Sequence, residues 1–326
     1  MLVDGDWRPD ATPSRSDDGE FEREETTFRD RVGTDRFPAE AGRYHLYIAR
    51  SCPWAHGAAL VRRLCGLTDA VSMDVVDPVR LDDGWEFSPE KDGCTPDSRT
   101  GADFLREVYT AADPDFTGRV TVPVLWDRHR ETIVNNESIE IMRMFASEMT
   151  HLGDASIDLY PPDRRAEVDR IVEAIYDPIN NGVYRAGFAT TQDAYDLAVA
   201  DLFDALDHWD AVLADQRYLL GDRLTLADLR LFATLVRFDP VYHTHFKCNR
   251  RRIRDYDALW PYLRDLHQTP GFAETVVMDH IRTGYYAEHR DLNPHGIVPA
   301  GPMPAFEGEH DRDRLPGGPP GTLETE

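Results

Sequence analysis

Lysine is almost absent from this 326-residue sequence: only Lys91 and Lys247 occur, so 34 of the 36 basic residues are arginine. The 60 acidic residues give a formal net charge of −24. This excess argues against a nucleic-acid partner, because the phosphate backbone would be repelled. It predicts a surface adapted to high salt, where ions screen the repulsion between acidic groups. An acidic mesophilic protein from a GC-rich genome is the alternative.

Cysteine and long apolar runs are also scarce. The four cysteines are far apart and form no zinc-type pair, which is too few for a disulfide-stapled secreted fold and fits a reducing compartment. No apolar stretch approaches 18 residues, and the first residues do not resemble a signal peptide. We therefore expect a soluble, cytoplasmic protein without a membrane span. Three of the cysteines are predicted to be structural: Cys65, Cys94 and Cys248.

The first half of the chain has the pattern of a thioredoxin-like α/β domain over residues 41–150, preceded by an N-terminal arm over 1–40. Aromatic and β-branched runs bounded by turn residues predict the strands, and longer periodic runs predict the helices. The predicted strands cover residues 44–49, 70–76, 121–126 and 132–134, and the predicted helices cover 54–65, 104–109 and 138–147.

The second half has a helical period throughout, which predicts an all-α domain over residues 151–290. Thr225 and Asp228 have the spacing of a capping box at a helix start. Residues 291–326 are rich in proline, glycine and acids and are predicted to form a partly disordered C-terminal extension, disordered beyond about Met303. The predicted helices cover residues 163–178, 195–213, 225–238, 258–268 and 272–284.

Cys52 lies between a predicted strand and a predicted helix, with Pro53 in the first helical turn. A cysteine at this place meets unpaired backbone N–H groups and the positive end of the helix, which stabilise a thiolate. Ala55 follows three residues later, so the motif holds no resolving thiol and favours a mechanism with an external thiol. Cys52 is therefore predicted to be a nucleophile; a small buried hydrophobic residue is the alternative.

Two further segments have features of a ligand site. Val122-Pro123 stands in a predicted strand, where a cis proline would leave the backbone of Val122 free to pair with a peptide; an ordinary edge proline is the alternative. Glu137 and Ser138 open a helix, where they can hold an ammonium and a carboxylate or form a plain helix cap.

Other candidate residues are weaker. Aromatic residues near helix ends can donate protons, although most such residues fill a core: Tyr184, Tyr242, Tyr285 and Tyr286. His243 and His245 have no further ligand at a useful spacing, so no metal site is predicted. The basic residues between Lys247 and Arg254 are predicted to pair with the protein's own acids.

The sequence segments around these residues resemble those of the glutathionyl-hydroquinone reductases, the Xi class of glutathione transferases. The resemblance covers about residues 20–304. One departure is Gly57, where the family commonly has arginine, which puts the helix start or the thiol contacts in doubt. The segments that carry the resemblance are Cys52-Pro53-Trp54-Ala55-His56 and those at residues 119–127, 133–138, 180–189, 237–242, 245–249 and 293–299.

The resemblance implies a thioredoxin-like domain followed by an all-α domain, and a homodimer formed through the α domains. It implies Cys52 as nucleophile, Tyr184 as proton donor, and Tyr242 and Tyr285 as stabilisers of the thiolate, with Tyr286 as the other candidate for the role of Tyr285. Glutathione, or γ-glutamylcysteine in a salt-adapted host, would be the thiol co-substrate. It would be bound by Trp85, Arg119, Val120, Thr121, Val122, Glu137 and Ser138.

The implied reaction is attack of Cys52 on the sulfur of a glutathionyl-hydroquinone conjugate, followed by release of the mixed disulfide by a second thiol. Two alternatives remain open. An omega-like thiol transferase or dehydroascorbate reductase would use the same cysteine without an aromatic pocket. A non-enzymatic interaction module of the same fold would not need Cys52 at a helix start.

Overall fold

The computed structural model describes residues 1–9 and 16–320 and divides the chain into two compact units. The first unit comprises residues 1–12, 25–155 and 277–290, and the second comprises residues 13–24, 156–276 and 291–326. The domain boundaries derived from the sequence stay predictions, but the units show that the chain returns to the first unit after its helical region. Across the described ranges, no helix has both the length and the apolar character needed to cross a membrane.

A four-stranded mixed sheet forms the core of the first unit, with the strand order β4 (Val71–Val75), β3 (Tyr44–Ile48), β5 (Val124–Asp127) and β6 (Thr132–Asn135). Its central strand β3 runs parallel to β4 and antiparallel to β5, so that Leu46 lies opposite both Met73 and Leu125. The strands contain mostly buried residues, as in a sheet covered by other elements. The strands are β1 (Leu2–Val3), β2 (Asp6–Trp7), β3 (Tyr44–Ile48), β4 (Val71–Val75), β5 (Val124–Asp127) and β6 (Thr132–Asn135).

Three helices follow strands of this unit: α1 (Pro53–Leu64), α2 (Leu105–Ala112) and α3 (Ser138–Phe145). Helix α1 begins where predicted, because Pro53 has no N–H to lose and its fixed φ suits the first helical turn. The helices α1 and α3 approach closely at Gly57, where a Cβ atom would lie 2.7 Å from the Sδ of Met142. An arginine at position 57 would therefore require Met142 to move.

The second unit is helical, as predicted. Helix α7 (Leu226–Arg237) begins with the predicted capping box of Thr225 and Asp228. The hydroxyl of Thr191 caps α6 (Gln192–Asp215) by accepting a hydrogen bond from the Ala194 N–H at 3.3 Å. The helices are α4 (Arg165–Ile175), α5 (Gly182–Phe188), α6 (Gln192–Asp215), α7 (Leu226–Arg237), α8 (His243–His245) and α9 (Leu259–Gln268).

Two π turns interrupt this helical pattern, at Tyr176–Asn180 and Phe238–Tyr242. Each contains an Asp-Pro pair, Asp177-Pro178 in the first and Asp239-Pro240 in the second. Proline has no N–H for the usual i→i−4 bond, and the wider π turn accommodates it. The predicted helices over 163–178 and 225–238 therefore end earlier as α-helices than the apolar periodicity suggested.

The predicted helix over residues 272–284 is wrong in its form. The structure has a short 3-10 turn at Ala273–Thr275, two non-helical residues, Val276 and Val277, and then α10 (Met278–Glu288). The β-branched pair Val276-Val277 favours an extended backbone over a helix, which explains the break. Helix α10 belongs to the first unit, although the sequence pattern placed it in the helical domain.

The C-terminal extension also differs from the prediction over residues 303–320, which are ordered against the second unit. Arg312 is 1% exposed and donates hydrogen bonds to carbonyls at the end of α6, including those of Gln216 (2.6 Å) and Arg217 (2.8 Å). Phe306 stacks on His267 with ring centroids 4.6 Å apart. The carbonyls at a helix end need donors, and composition does not show which distant residue supplies them. Residues 321–326 lie outside the described ranges.

Candidate active site

Cys52 lies at the junction of β3 and α1 and is the N-cap of the helix, with φ −77° and ψ 121°. Its N–H donates to the carbonyl of Ala49 at 3.1 Å, and its own carbonyl accepts from His56 N–H at 3.0 Å. The side chain is half-buried, and the Sγ–H points to the carbonyl of Val122 at 3.7 Å. This is the helix N-terminal place at which backbone N–H groups and the helix dipole favour a thiolate.

The segment Arg119–Val122 lies beside this cysteine. The peptide bond between Val122 and Pro123 is cis, which was one of the two predicted alternatives. Val120 and Val122 are buried, whereas Arg119 and Thr121 are half-buried. The short distance between Cys52 and the Val122 carbonyl puts the Sγ atom next to backbone that can pair with a peptide ligand.

Trp85 is 7% exposed, and its indole Nε1 has no hydrogen-bond partner among the described residues. A buried indole N–H without an acceptor is costly, and a bound carboxylate would satisfy it. The guanidinium of Arg80 lies 5.3 Å from the Trp85 ring and pairs with Glu288 on α10 at 2.7 Å. The Trp85 ring therefore packs against the Arg80 guanidinium, whose position is fixed by its ion pair with α10 of the same unit.

Glu137 is the N-cap of α3, and its carboxylate accepts hydrogen bonds from the N–H of Ile139 at 3.4 Å and from the hydroxyl of Thr26 at 3.2 Å. The hydroxyl of Ser138 donates to the same carboxylate at 3.4 Å. The helix-cap alternative therefore describes the local structure correctly. A ligand role for Glu137 and Ser138 stays a prediction beside it.

Helix α10 brings Tyr285 and Tyr286 into the unit that contains Cys52. The contact is closest at Gly284, where a Cβ atom would lie 2.5 Å from the Cβ of Ser51. Tyr285 is 5% exposed and Tyr286 is 3% exposed, so burial does not distinguish them. Because Ser51 directly precedes Cys52, the residue after Gly284 lies near the cysteine loop, and both tyrosines remain candidates.

Tyr184 and Tyr242 lie together in the second unit, with ring centroids 6.1 Å apart. Tyr242 is fully buried and stacks on Phe246 with centroids 5.5 Å apart. Tyr184 is also packed against Phe246 at 5.5 Å, and the guanidinium of Arg23 lies 5.0 Å from its ring. One π turn comes just before α5, which carries Tyr184, and the other ends at Tyr242.

The remaining cysteines are unsuited to nucleophilic chemistry. Burial raises the pKa of the Cys94 thiol to about 11 and raises the pKa of the Cys248 thiol further, so both stay protonated at neutral pH. Cys65 is fully buried. His243 and His245 belong to no group of metal-ligating side chains in the described part of the chain.

Sequence reasoning missed several parts of this arrangement. The π turns carried a signal, because an Asp-Pro pair recurs inside two apolar helical patterns. The Arg80–Glu288 pair carried none, since its members are 208 residues apart and each is an ordinary surface type. The hydroxyl contacts of Tyr109, described below, were equally invisible, because a tyrosine in an amphipathic helix is usually a core residue.

Comparison with known proteins finds matches to two glutathione S-transferase domains, the N-terminal domain over residues 51–148 and the C-terminal domain over residues 192–265. The chain is 47% identical over 322 residues to the glutathionyl-hydroquinone reductase YqjG of Escherichia coli, which covers 96% of this chain and 98% of that protein. These matches confirm the predicted fold class, a thioredoxin-like domain followed by an all-helical domain.

Two solved structures are similar over nearly the whole chain. The Xi class glutathione transferase of Natrialba magadii, a halophile, superposes with a TM-score of 0.92 at 60% identity and covers 98% of each chain. The glutathione-bound structure of Escherichia coli YqjG has a TM-score of 0.88 at 46% identity and covers 96% of this chain and 98% of that one.

Proposed function

Because the chain belongs to the glutathionyl-hydroquinone reductases, the Xi class of glutathione S-transferases, we propose that this enzyme cleaves glutathionyl-hydroquinone conjugates through Cys52. The observation that carries the proposal is the position of Cys52 at the start of α1, 3.7 Å from the Val122 carbonyl. Ala55 supplies no second thiol in the motif, so the reaction needs an external one.

The proposed chemistry has two steps. The Cys52 thiolate attacks the sulfur of the aryl thioether, the carbon–sulfur bond breaks, and the aromatic carbon takes a proton from Tyr184. This leaves the hydroquinone and a mixed disulfide on Cys52. A second thiolate attacks that disulfide at the sulfur from the conjugate, releases the Cys52 thiolate and leaves as the disulfide of the two small thiols, so one external thiol is consumed for each conjugate that is reduced.

The residues assigned to the thiol substrate are proposed to bind different parts of it. Glu137 and Ser138 bind the γ-glutamyl end, and the Val122 backbone pairs with the cysteinyl residue. Trp85 and the segment from Arg119 bind the terminal carboxylate, and the buried, unpartnered indole N–H of Trp85 supports this assignment. Tyr242 and Tyr285 are proposed to stabilise the thiolate of Cys52.

The enzyme is further proposed to act in the cytoplasm as a homodimer formed through the helical unit.

Substitution of the nucleophile tests the proposal. Cys52→Ser should reduce turnover of a glutathionyl-hydroquinone to the uncatalysed background, because a hydroxyl is a far poorer nucleophile at neutral pH. Cys94→Ser is the matched control, since that thiol is also half-buried in the first unit yet is held protonated. Turnover by Cys52→Ser within a few-fold of the parent would end the nucleophile assignment.

The same assay separates the alternative activity. Each enzyme sample is given an S-aryl glutathione conjugate, a glutathione mixed disulfide and dehydroascorbate. We expect the aryl conjugate to be the preferred substrate by kcat/KM. Preference for the mixed disulfide or dehydroascorbate would favour the omega-like thiol transferase instead.

The thiol is tested by comparing glutathione, γ-glutamylcysteine, cysteinylglycine and cysteine at high salt. γ-Glutamylcysteine lacks only the glycine, and losing one charge-assisted hydrogen bond at a partly exposed site reduces affinity by about tenfold. We therefore expect its kcat/KM to lie within about tenfold of that of glutathione, and much lower values for the two thiols without the γ-glutamyl group. If cysteine matches glutathione, Glu137 and Ser138 act only as a helix cap.

A further inference from the structure

The hydroxyl of Tyr109, on α2, is buried between the segment that precedes β5 and the segment that follows β6. It donates a hydrogen bond to the carbonyl of Thr121 at 2.9 Å and accepts one from the Thr121 N–H at 3.2 Å. It also accepts a hydrogen bond from the side-chain Nδ2 of Asn136 at 3.1 Å. One phenol oxygen thus joins two parts of the chain that are 15 residues apart in number and belong to different loops.

Neither of the joined residues is part of the strand ladder. Thr121 precedes β5, which begins at Val124, and Asn136 follows β6, which ends at Asn135. The register of the sheet therefore does not by itself set the position of either loop. Thr121 is directly followed by Val122 and Asn136 by Glu137, so the loops held by Tyr109 carry two sets of residues assigned to the thiol.

Tyr109 is itself fixed from several sides. Its ring packs against Phe116 with centroids 5.1 Å apart and against Phe28 at 5.8 Å in an edge-on arrangement. Phe28 also makes two hydrogen bonds with Asn136. Its N–H donates to the side-chain Oδ1 of Asn136 at 3.1 Å, and its carbonyl accepts from the Asn136 N–H at 3.1 Å. Burial raises the pKa of the Tyr109 phenol, so the hydroxyl keeps the proton that it donates to Thr121.

We propose that Tyr109 is a positioning residue for the thiol substrate: its hydroxyl sets the separation between the Val122 backbone and the Glu137–Ser138 helix start. The inference rests on the proposed function, because it concerns the site that this function assigns to the thiol. It adds a residue that touches neither the substrate nor Cys52.

Tyr109→Phe tests the proposal, with Tyr44→Phe as the matched control. Tyr44 is also buried in the first unit, and among the described residues its hydroxyl makes one hydrogen bond, to the carbonyl of Pro38 at 2.7 Å. Tyr109→Phe should raise KM for glutathione by about five- to tenfold and leave kcat at saturation within about twofold. Tyr44→Phe should lower the thermal midpoint without changing KM. An unchanged KM in Tyr109→Phe, or an equal rise in both variants, would overturn the positioning role.

Equilibrium binding of S-methylglutathione separates this inference from the proposed function, because it requires no reaction at Cys52. Binding by the parent with five- to tenfold weaker binding by Tyr109→Phe, at about the scale set by the lost hydrogen bonds, supports both. Equal binding by parent and variant overturns the role of Tyr109 alone. No binding by the parent overturns the thiol site itself and the inference with it.

If Tyr109→Phe does not fold, Asn136→Ala tests the same link. It removes the Nδ2–H donor to Tyr109, and with it the Oδ1 that accepts from the Phe28 N–H, and it leaves the two bonds between Tyr109 and the Thr121 backbone in place. We then expect a smaller loss of S-methylglutathione affinity, of about two- to fivefold, and unchanged affinity would overturn the inference.

Discussion

At the scale of single residues, Tyr184 and Tyr242 are packed in ways that suit different tasks. Tyr242 is fully buried and stacked parallel to Phe246, whereas Tyr184 is 9% exposed. A proton donor must reach the leaving carbon, so the less enclosed phenol is the better candidate.

We therefore expect Tyr184→Phe to lower kcat for the aryl conjugate by about a hundredfold, the usual scale for losing a general acid, with KM for the thiol changed by less than about twofold. Tyr195→Phe is the control, because its exposed hydroxyl bonds only to the Lys247 carbonyl, at 2.7 Å, among the contacts described. Steady-state kinetics with both substrates measures the split. A raised thiol KM at unchanged kcat would move Tyr184 from chemistry to binding.

The residues of the candidate site were predictable to the extent that local sequence determines them. Cys52 and Pro53 define a strand–helix junction from a few adjacent letters, and the structure has that junction. The contacts of Tyr109 and Arg80 depend on which loops meet in three dimensions. No periodicity or spacing encodes such a meeting, so these positioning contacts required the structure.

At the scale of elements, α10 packs against the cysteine loop through Gly284. A Cβ atom there would lie 2.5 Å from the Cβ of Ser51 and 2.6 Å from the carbonyl oxygen of Pro78, which is backbone and cannot rotate away. We expect Gly284→Ala to push α10 outward, lower the thermal midpoint and reduce kcat/KM at least tenfold through the shifted loop, at about the scale of a small misplacement of catalytic groups. Thr283→Ala, next to it on the helix, should have little effect. Near-parent activity in Gly284→Ala would show that the close contact is unimportant.

Helix α7 depends on a different kind of contact, the buried carboxylate of Asp228. It accepts hydrogen bonds from Leu219 N–H at 2.8 Å, Thr225 N–H at 2.8 Å and Tyr262 OH at 2.9 Å. Burial is the largest influence and raises the pKa of Asp228 from 3.8 to about 6. Between these pH values the native state binds the proton of Asp228 more tightly than the unfolded state does. This group therefore lowers the free energy of unfolding as pH rises from about 3.8 to about 6, and above that range its contribution no longer changes with pH.

Asp228→Asn should remove this contribution, because an amide does not titrate there. We expect the variant to be less stable than the parent at every pH, with the difference smaller at pH 7 than at pH 4. Denaturant unfolding at fixed salt measures it. Thr191→Ala, which removes the cap of α6, is the control and should cost about 1 kcal/mol with no change between these pH values. A constant difference for Asp228→Asn would contradict the raised pKa.

The elements themselves were predictable where the pattern was long or bounded by strong breakers. The strands β3 and β4 and the helices α1 and α9 begin and end within one residue of the prediction or at it. The seven-residue helix α5 was missed, because so short a segment shows no periodicity. The extension over 303–320 was misjudged, because the burial of Arg312 depends on the carbonyls of a helix about 100 residues away.

At the scale of the whole molecule, the net charge of −24 is the dominant electrostatic feature. Surface ion pairs do not reduce this net charge, which already counts every basic residue, and the contribution of each pair to stability is small, with a median of about 0–1 kcal/mol. Arginine pairs such as Arg251–Asp207 (3.6 Å) and Arg252–Asp255 (3.0 Å) fit the predicted neutralisation of the basic segment, and 24 negative charges still remain in excess.

The folded state should therefore lose stability when salt is removed. The Debye length is about 3 Å at 1 M salt and about 30 Å at 0.01 M, so acidic groups far apart on the surface begin to repel one another only in dilute buffer. We expect the thermal midpoint in sodium chloride to fall by tens of degrees between these concentrations, an order-of-magnitude expectation from self-repulsion in the compact state. A midpoint that is equal at both concentrations would contradict adaptation to salt and favour the alternative of an ordinary acidic protein.

Salt also strengthens hydrophobic burial, and the choice of anion separates the two effects. Sodium sulfate is excluded from protein surfaces more strongly than sodium chloride, so at equal ionic strength it stabilises further only if burial is the cause. Screening depends on ionic strength alone and saturates once the Debye length falls below the distance between neighbouring charges. We expect most of the rise in the thermal midpoint to occur below about 0.5 M and to be the same for both salts at equal ionic strength, which assigns it to the acidic surface. A rise that continues linearly to high concentration and is larger in sulfate would instead assign it to the apolar cores of the two units.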